Sequence, residues 1–211
     1  MFLHSIYNEE KLYTYIERYA TAHDLKQTVV VLPYAKEKHQ GQMRKGKEPI
    51  PYISHPLLVA YHAIMLGLDS DEFISTALLH DVCEDCGVGF EELPVNEETR
   101  FAVRLLTKED SPESKTKETK KKYYSDISEN VIAVMIKLLD RCNNVSTMAD
   151  GFSREKMMRY IEETEEWFYP MIEKAQIKFP MYEKQIVILQ YHIVSVVEAL
   201  KQVLNDTRNN N

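Results

Sequence analysis

The hexapeptide His80-Asp81-Val82-Cys83-Glu84-Asp85 follows the apolar run Ile74 to Leu79, so four ionisable groups stand at the end of a stretch patterned for burial. An unpaired buried charge costs several kcal/mol, and a metal ion is the obvious partner for this cluster. On a helix, successive residues point about 100° apart, whereas residues three and four apart share a face. Glu84 therefore stands beside His80 and Asp81, and Asp85 extends the cluster by a turn. A mixed histidine and carboxylate set suits Mn²⁺, Fe²⁺ or Zn²⁺ better than Ca²⁺ or Mg²⁺, which prefer all-oxygen shells. Such a centre lowers the pKa of water held in its open positions, which is hydrolase chemistry.

Two ligands are too few, and two other residues could complete a four-ligand set. His55, in Tyr52-Ile53-Ser54-His55-Pro56, sits where a loop enters a helix, and Asp140 ends the apolar run Val131 to Leu139. Each has an ordinary alternative. A histidine at a helix start often caps it, and Asp140 beside Arg141 has the makings of a simple ion pair. The joint pattern, loop then helix then helix with apolar flanks, favours the ligand reading.

The elements that must position these groups are helical. The chain has 211 residues, 44% of them hydrophobic, with only six Gly and eight Pro. Apolar and charged residues interleave at three- and four-residue spacing, which predicts an all-α fold. Helices are expected from Asn8 to Ala20, Thr28 to His39 with Pro33 kinking it or in its first turn, Pro56 to Met65, and Ser70 to Asp85. Others follow at Glu97 to Leu106, Asn130 to Asn144, Ser153 to Trp167 and Tyr182 to about Leu204, where Ile186, Leu189, Ile193, Val196, Val197 and Leu200 form a core stripe. Gly41 to Ser54 is a loop whose Arg44, Lys45 and Lys47 make it the best anion-contacting segment. Thr107 to Lys122 is charged and nearly devoid of apolar residues, a mobile excursion or solvated helix start. The terminal Asn209-Asn210-Asn211 is expected to fray.

A net charge of −7 argues against nonspecific nucleic-acid binding. It does not exclude an anionic nucleotide, because a metal and a few local cations can reverse the field in a pocket. Cys83, Cys86 and Cys142 are expected to be free thiols: no second paired motif completes a structural zinc site, and no strand-then-helix pattern supports a redox role. No apolar run approaches the roughly 20 residues that span a bilayer, and Met1 to Ala20 lacks a signal peptide's apolar stretch. A cytoplasmic protein without nucleic-acid or membrane partners is expected.

The order His55, His80-Asp81, Asp140 is similar to that of the HD phosphohydrolase superfamily. Four blocks narrow the likeness: Ala35-Lys36-Glu37-Lys38-His39-Gln40-Gly41-Gln42-Met43-Arg44-Lys45, Pro49 through His55-Pro56, Ala77-Leu78-Leu79-His80-Asp81-Val82-Cys83-Glu84-Asp85, and Lys137-Leu138-Leu139-Asp140-Arg141-Cys142-Asn143-Asn144. Together, over about Pro33 to Tyr169, they resemble the hydrolase domain of RelA/SpoT alarmone enzymes.

The resemblance implies one HD-type helical bundle over 1–211, its core about 28–170, with a C-terminal helical extension at about 171–205. It implies Mn²⁺ held by His55, His80, Asp81 and Asp140, with Glu84 and Asp85 activating water or assisting the leaving group. It further implies Arg44 packed on a guanine base, Lys45 on the nucleotide, and Asn144 and Thr147 lining its pocket. The implied reaction removes the 3′-pyrophosphate of (p)ppGpp, giving GDP or GTP and pyrophosphate. The Glu48-Pro49-Ile50-Pro51-Tyr52 stretch is about two residues longer than the usual pattern, and no synthetase motif follows. A small stand-alone hydrolase is therefore expected, with Tyr182 to Leu204 as a packing or dimer helix that leaves homo-oligomerisation open. Two other functions fit the sequence: an HD-domain phosphohydrolase of another nucleotide, such as ppApp, NADPH or simple nucleotides, and a non-enzymatic nucleotide sensor.

Overall fold

Asn8 opens the first helix, α1 (Glu9–Ala22): its side chain accepts from the Lys11 amide at 2.9 Å, and Glu9 and Glu10 occupy the first turn. Such a cap satisfies one of the helix's orphan N–H groups. The structure, a computed structural model, describes residues 8–46, 50–108 and 116–209, with side chains to 205. Backbone packing divides the chain into two compact units, Met1–Arg44 with Glu48–Thr116, and Lys45–Lys47 with Lys117–Asn211. Among the described residues there is no strand, and the only bridge is Met43 with Pro51, so the all-α expectation holds.

In the first unit, α1 buries Leu12, Ile16 and Ala20. The second helix, α2 (Lys26–Lys38), has no cap of its own. Asp71 supplies one, accepting from the Gln27 amide at 2.8 Å and from the Thr28 amide and hydroxyl at 2.7 Å each. Pro33 lies inside α2, past the first turn where one alternative put it. Its missing N–H leaves the Val29 carbonyl without a helical donor, and Val29 is half exposed, where water can serve. The centre of the unit is α3 (Ser54–Met65) and α4 (Asp71–Leu79), the latter buried continuously from Phe73 to Leu79. A short α5 (Val82–Cys86) ends at Gly87, whose φ of 66° is the left-handed cap glycine tolerates. A 3₁₀ turn at Phe90–Glu92 and α6 (Glu97–Leu106) complete it.

The second unit is built on α8 (Val131–Gly151), 21 residues capped by Asn130 through the Ala133 amide and running seven residues beyond the expected end at Asn144. It follows α7 (Lys117–Ile127). A cap at Ser153 opens α9 (Arg154–Glu163), which passes through a π-helical turn, Thr164–Phe168, into α10 (Tyr169–Lys178). The last helix, α11 (Glu183–Asn209), buries Ile186, Leu189, Ile193 and Val197. By length and composition the stretch Pro180–Asn205 could cross a membrane, with mean hydropathy 1.3 and 22% of its apolar window buried. That apolar run is longer than expected from the sequence. Within Thr107 to Lys122, residues 109–115 lie outside the described residues, while Lys117 to Lys122 form the mostly exposed start of α7, the solvated helix start among the expectations; residues 48–49 of the longer loop and 210–211 of the tail also lie outside the described residues.

Candidate metal centre and nucleotide-facing residues

The helix expected from Ser70 to Asp85 breaks at its chemistry. α4 ends at Leu79, His80 (φ −57°, ψ −26°) and Asp81 (φ −107°, ψ −7°) form the joint, and α5 restarts at Val82. A continuous helix would point adjacent side chains about 100° apart. At this joint they converge, with His80 Nε2 3.1 Å from Asp81 Oδ2. His55, in the first turn of α3, brings its Nε2 3.2 Å from that of His80 and 3.5 Å from Asp81 Oδ2. Both histidines are buried, and the Asp81 side chain is one-fifth exposed.

These donors fit a metal. The Nδ1–H of His80 donates to the Ala77 carbonyl at 2.7 Å, which leaves Nε2 with a bare lone pair aimed at the cluster. Donors about 2.1 Å from an ion in tetrahedral or octahedral geometry lie about 3.0 to 3.4 Å apart, close to the 3.1, 3.2 and 3.5 Å separations of these three. The Tyr52 hydroxyl donates to Asp81 Oδ2 at 2.7 Å and lies near the Asp85 carboxylate. Burial, then the neighbouring Asp81 and Asp85 carboxylates, push the Tyr52 phenol far above its ordinary range, so it stays a proton donor. His39 flanks Tyr52 with ring centroids 5.0 Å apart. Its Nδ1 bonds Gln42 Oε1 at 2.8 Å, while its buried Nε2 has no hydrogen-bond partner among the described residues.

The acid pair divides. Asp85 lies near Tyr52, and Glu84 accepts from the Lys108 amide at 3.0 Å near the surface. In the second unit, Asp140 is buried on α8 and accepts from Asn144 Nδ2 at 2.6 Å and Lys137 Nζ at 3.1 Å. Asn144 lies beside the half-buried Tyr160. Burial opposes the charge of Lys137, but Tyr123 and then Asp140 outweigh it and hold its ammonium well above ordinary lysine. Arg141 is buried rather than paired with Asp140 at the surface: it donates to Thr164 Oγ1 at 3.0 Å, Tyr124 OH at 2.9 Å and Glu163 Oε1 at 3.3 Å, between the rings of Tyr160 and Phe168. Thr147, one turn beyond Asn144, donates to the Asn143 carbonyl at 3.1 Å.

Arg44 pairs its amide with the Ile50 carbonyl at 2.9 Å, which closes the loop at its base. Lys45 rests on the end of α8, where a Cβ on Gly151 would collide with its carbonyl. Lys45, Lys156 and Arg159 gather there: burial, then the Lys45 and Arg159 cations, pull the Lys156 ammonium below its ordinary value. Lys156 lies 3.6 Å above the Phe152 ring. Like charges held together give this surface a positive potential. Sequence reasoning missed Tyr52, Lys137, Lys156, Arg159 and Tyr160 as candidates, because the signal lies in partners distant along the chain. The cysteines are free thiols. Burial, then Cys86 and Glu92, push the Cys83 thiol up to about 11, and burial, then Asp140, pushes Cys142 up to about 12.

No protein-family model matches the chain. A solved structure described as a metazoan ortholog of SpoT that hydrolyzes ppGpp is similar with a TM-score of 0.65 and 22% identity, over 82% of this chain and 95% of that one. The fold is therefore the all-helical one of that protein. The chain is 33% identical over 188 residues to the guanosine-3′,5′-bis(diphosphate) 3′-pyrophosphohydrolase of Aquifex aeolicus (strain VF5), covering 84% of this chain and 25% of that protein. It is 31% identical over 182 residues to a GTP pyrophosphokinase of Myxococcus xanthus, covering 82% and 24%. The chain spans about a quarter of the length of these curated relatives. It is a relative of the RelA/SpoT-type alarmone enzymes, as its four sequence blocks implied.

Proposed function

We propose that the protein is a Mn²⁺-dependent hydrolase that removes the 3′-pyrophosphate of (p)ppGpp, giving GDP or GTP and pyrophosphate. The observation that carries this reading is the trio of donor atoms on His55, His80 and Asp81, at ligand spacing beside Asp85. The names of the curated relatives supply the substrate. In this reading Asp140 is the fourth ligand, so residues 1–211 act as one hydrolase domain. A divalent cation held by these residues lowers the pKa of water and offsets charge building on the phosphate.

The chain's own groups do the rest. Asp85 accepts a proton from the attacking water, whose oxygen joins the 3′ phosphorus. The bond from that phosphorus to the ribose 3′ oxygen breaks, and Glu84 returns a proton to the departing oxygen. Tyr52 keeps Asp81 oriented without giving up its proton. Arg44 packs on the base, while Asn144 and Thr147 line the nucleotide pocket and Lys45, with Lys156 and Arg159 beside it, receives the phosphates.

The test is to incubate the Mn²⁺-loaded protein with ppGpp, ppApp, NADPH and simple nucleotides and to identify the products. Pyrophosphate and GDP from ppGpp are expected. Orthophosphate from simple nucleotides with ppGpp left intact would overturn the reading.

A further inference from the structure

Helix α11 buries Ile186, Leu189, Ile193 and Val197 on one side. At 100° per residue, its opposite face carries Lys184, Val187, Ile188, Tyr191, Ser195 and Glu198. The apolar members are open to solvent: Tyr191 is 70% exposed, Ile188 52% and Val187 48%. Single exposed hydrophobics are ordinary, but three within five residues on one face are a patch.

We propose that a second copy of this chain covers this face, with the two α11 helices antiparallel about Tyr191. The argument is charge complementarity. Lys184 lies seven residues before Tyr191 and Glu198 seven after it, both exposed. Among the described residues neither forms a salt bridge within the chain. An antiparallel pair centred on Tyr191 sets Lys184 opposite Glu198 of the second copy, twice by symmetry. It also sets the large Val187 opposite the small Ser195, and the helix dipoles oppose. A parallel pair would stack Lys184 on Lys184 and Glu198 on Glu198. A membrane is the poorer occupant, because the exposed face carries both charges, Lys184 and Glu198.

The strip from Lys184 to Glu198 is about 21 Å long and about 10 Å wide. That is well below the roughly 800 Å² per partner of a standard interface, so the dimer is weak and concentration-dependent.

Sedimentation velocity of the full chain from about 5 to 500 µM tests it. Wild type is expected to move from monomer to dimer across this range. Tyr191→Glu, which sets two carboxylates at the dyad, is expected to stay monomeric. Lys184→Glu and Glu198→Lys are each expected to raise the dissociation constant at least about tenfold, and the double exchange Lys184→Glu with Glu198→Lys to restore it to within about threefold. All these positions are exposed, so unchanged circular dichroism serves as the folding control. A monomer at every concentration, single exchanges without effect, a double exchange that fails to restore, or monomers that bind lipid vesicles through Tyr191 would each overturn the proposal.

Discussion

Replacing Tyr52 by phenylalanine removes one oxygen and leaves the ring that packs 5.0 Å from His39 and 5.9 Å from His55. The lost contact is a 2.7 Å hydrogen bond to Asp81 Oδ2. A hydrogen bond to a charged group contributes about 1.5–3 kcal/mol, and each 1.4 kcal/mol is a factor of ten in affinity. Removing a group that orients a metal ligand costs about 10- to 100-fold in metal affinity, which agrees with that range. Titration calorimetry of the metal-free protein with MnCl₂ should therefore find a dissociation constant about 10- to 100-fold higher for Tyr52→Phe. The melting temperature should barely move, because shape is retained. An affinity within threefold of wild type would mean that Asp81 is not held for a ligand role. Tighter binding would mean that Tyr52 competes with the metal, and either result refutes the reasoning.

Gly151→Ala should raise KM for the nucleotide with little change in kcat, since the added methyl displaces the Lys45 backbone and not the metal ligands; steady-state kinetics separate the two. Arg141→Met removes a buried cation that bonds Glu163, which keeps Lys120 and the Tyr124 hydroxyl, and losing a hydrogen bond to a charged group costs about 1.5–3 kcal/mol. Urea denaturation should report a loss of that size. Burial lowers the His39 pKa beneath its ordinary 6.5, so the folded state keeps the ring neutral while the unfolded chain takes up a proton. Stability from His39 is thus full above 6.5 and falls as pH drops below it towards the depressed folded value. Comparing wild type with His39→Gln by thermal melts between pH 7.5 and 4.5, a range set by these values, should find a shallower decline in the variant.

Much of the fold was legible because helix ends and stripes are local. Asn8, Asn130 and Ser153 stand at the expected helix starts and each caps its helix by accepting a first-turn amide, and Ile186, Leu189, Ile193 and Val197 are buried at their helical spacing. The break at His80 was not legible, since neither His80 nor Asp81 is a helix breaker. The joint is held by contacts, His80 to the Ala77 carbonyl and Asp81 to Tyr52 across 29 residues. Pro33 inside α2 was similarly hidden, because whether a proline is tolerated depends on whether water reaches the carbonyl one turn back. His55 and His80 could be chosen by type and order. Tyr52, Lys137, Lys156 and Tyr160 could not, because a tyrosine or lysine becomes a site residue only through partners that folding brings near. Gly151 carried no sequence signal, and its role appears only where the Lys45 carbonyl meets α8.

The most direct measurement follows ppGpp by phosphorus-31 NMR with the chelated protein, after adding Mn²⁺, and with Asp81→Ala. The account predicts no turnover when chelated, equal amounts of GDP and pyrophosphate once Mn²⁺ is restored, and neither product nor stoichiometric metal binding in Asp81→Ala. Turnover that survives chelation, or that persists in Asp81→Ala, would contradict it.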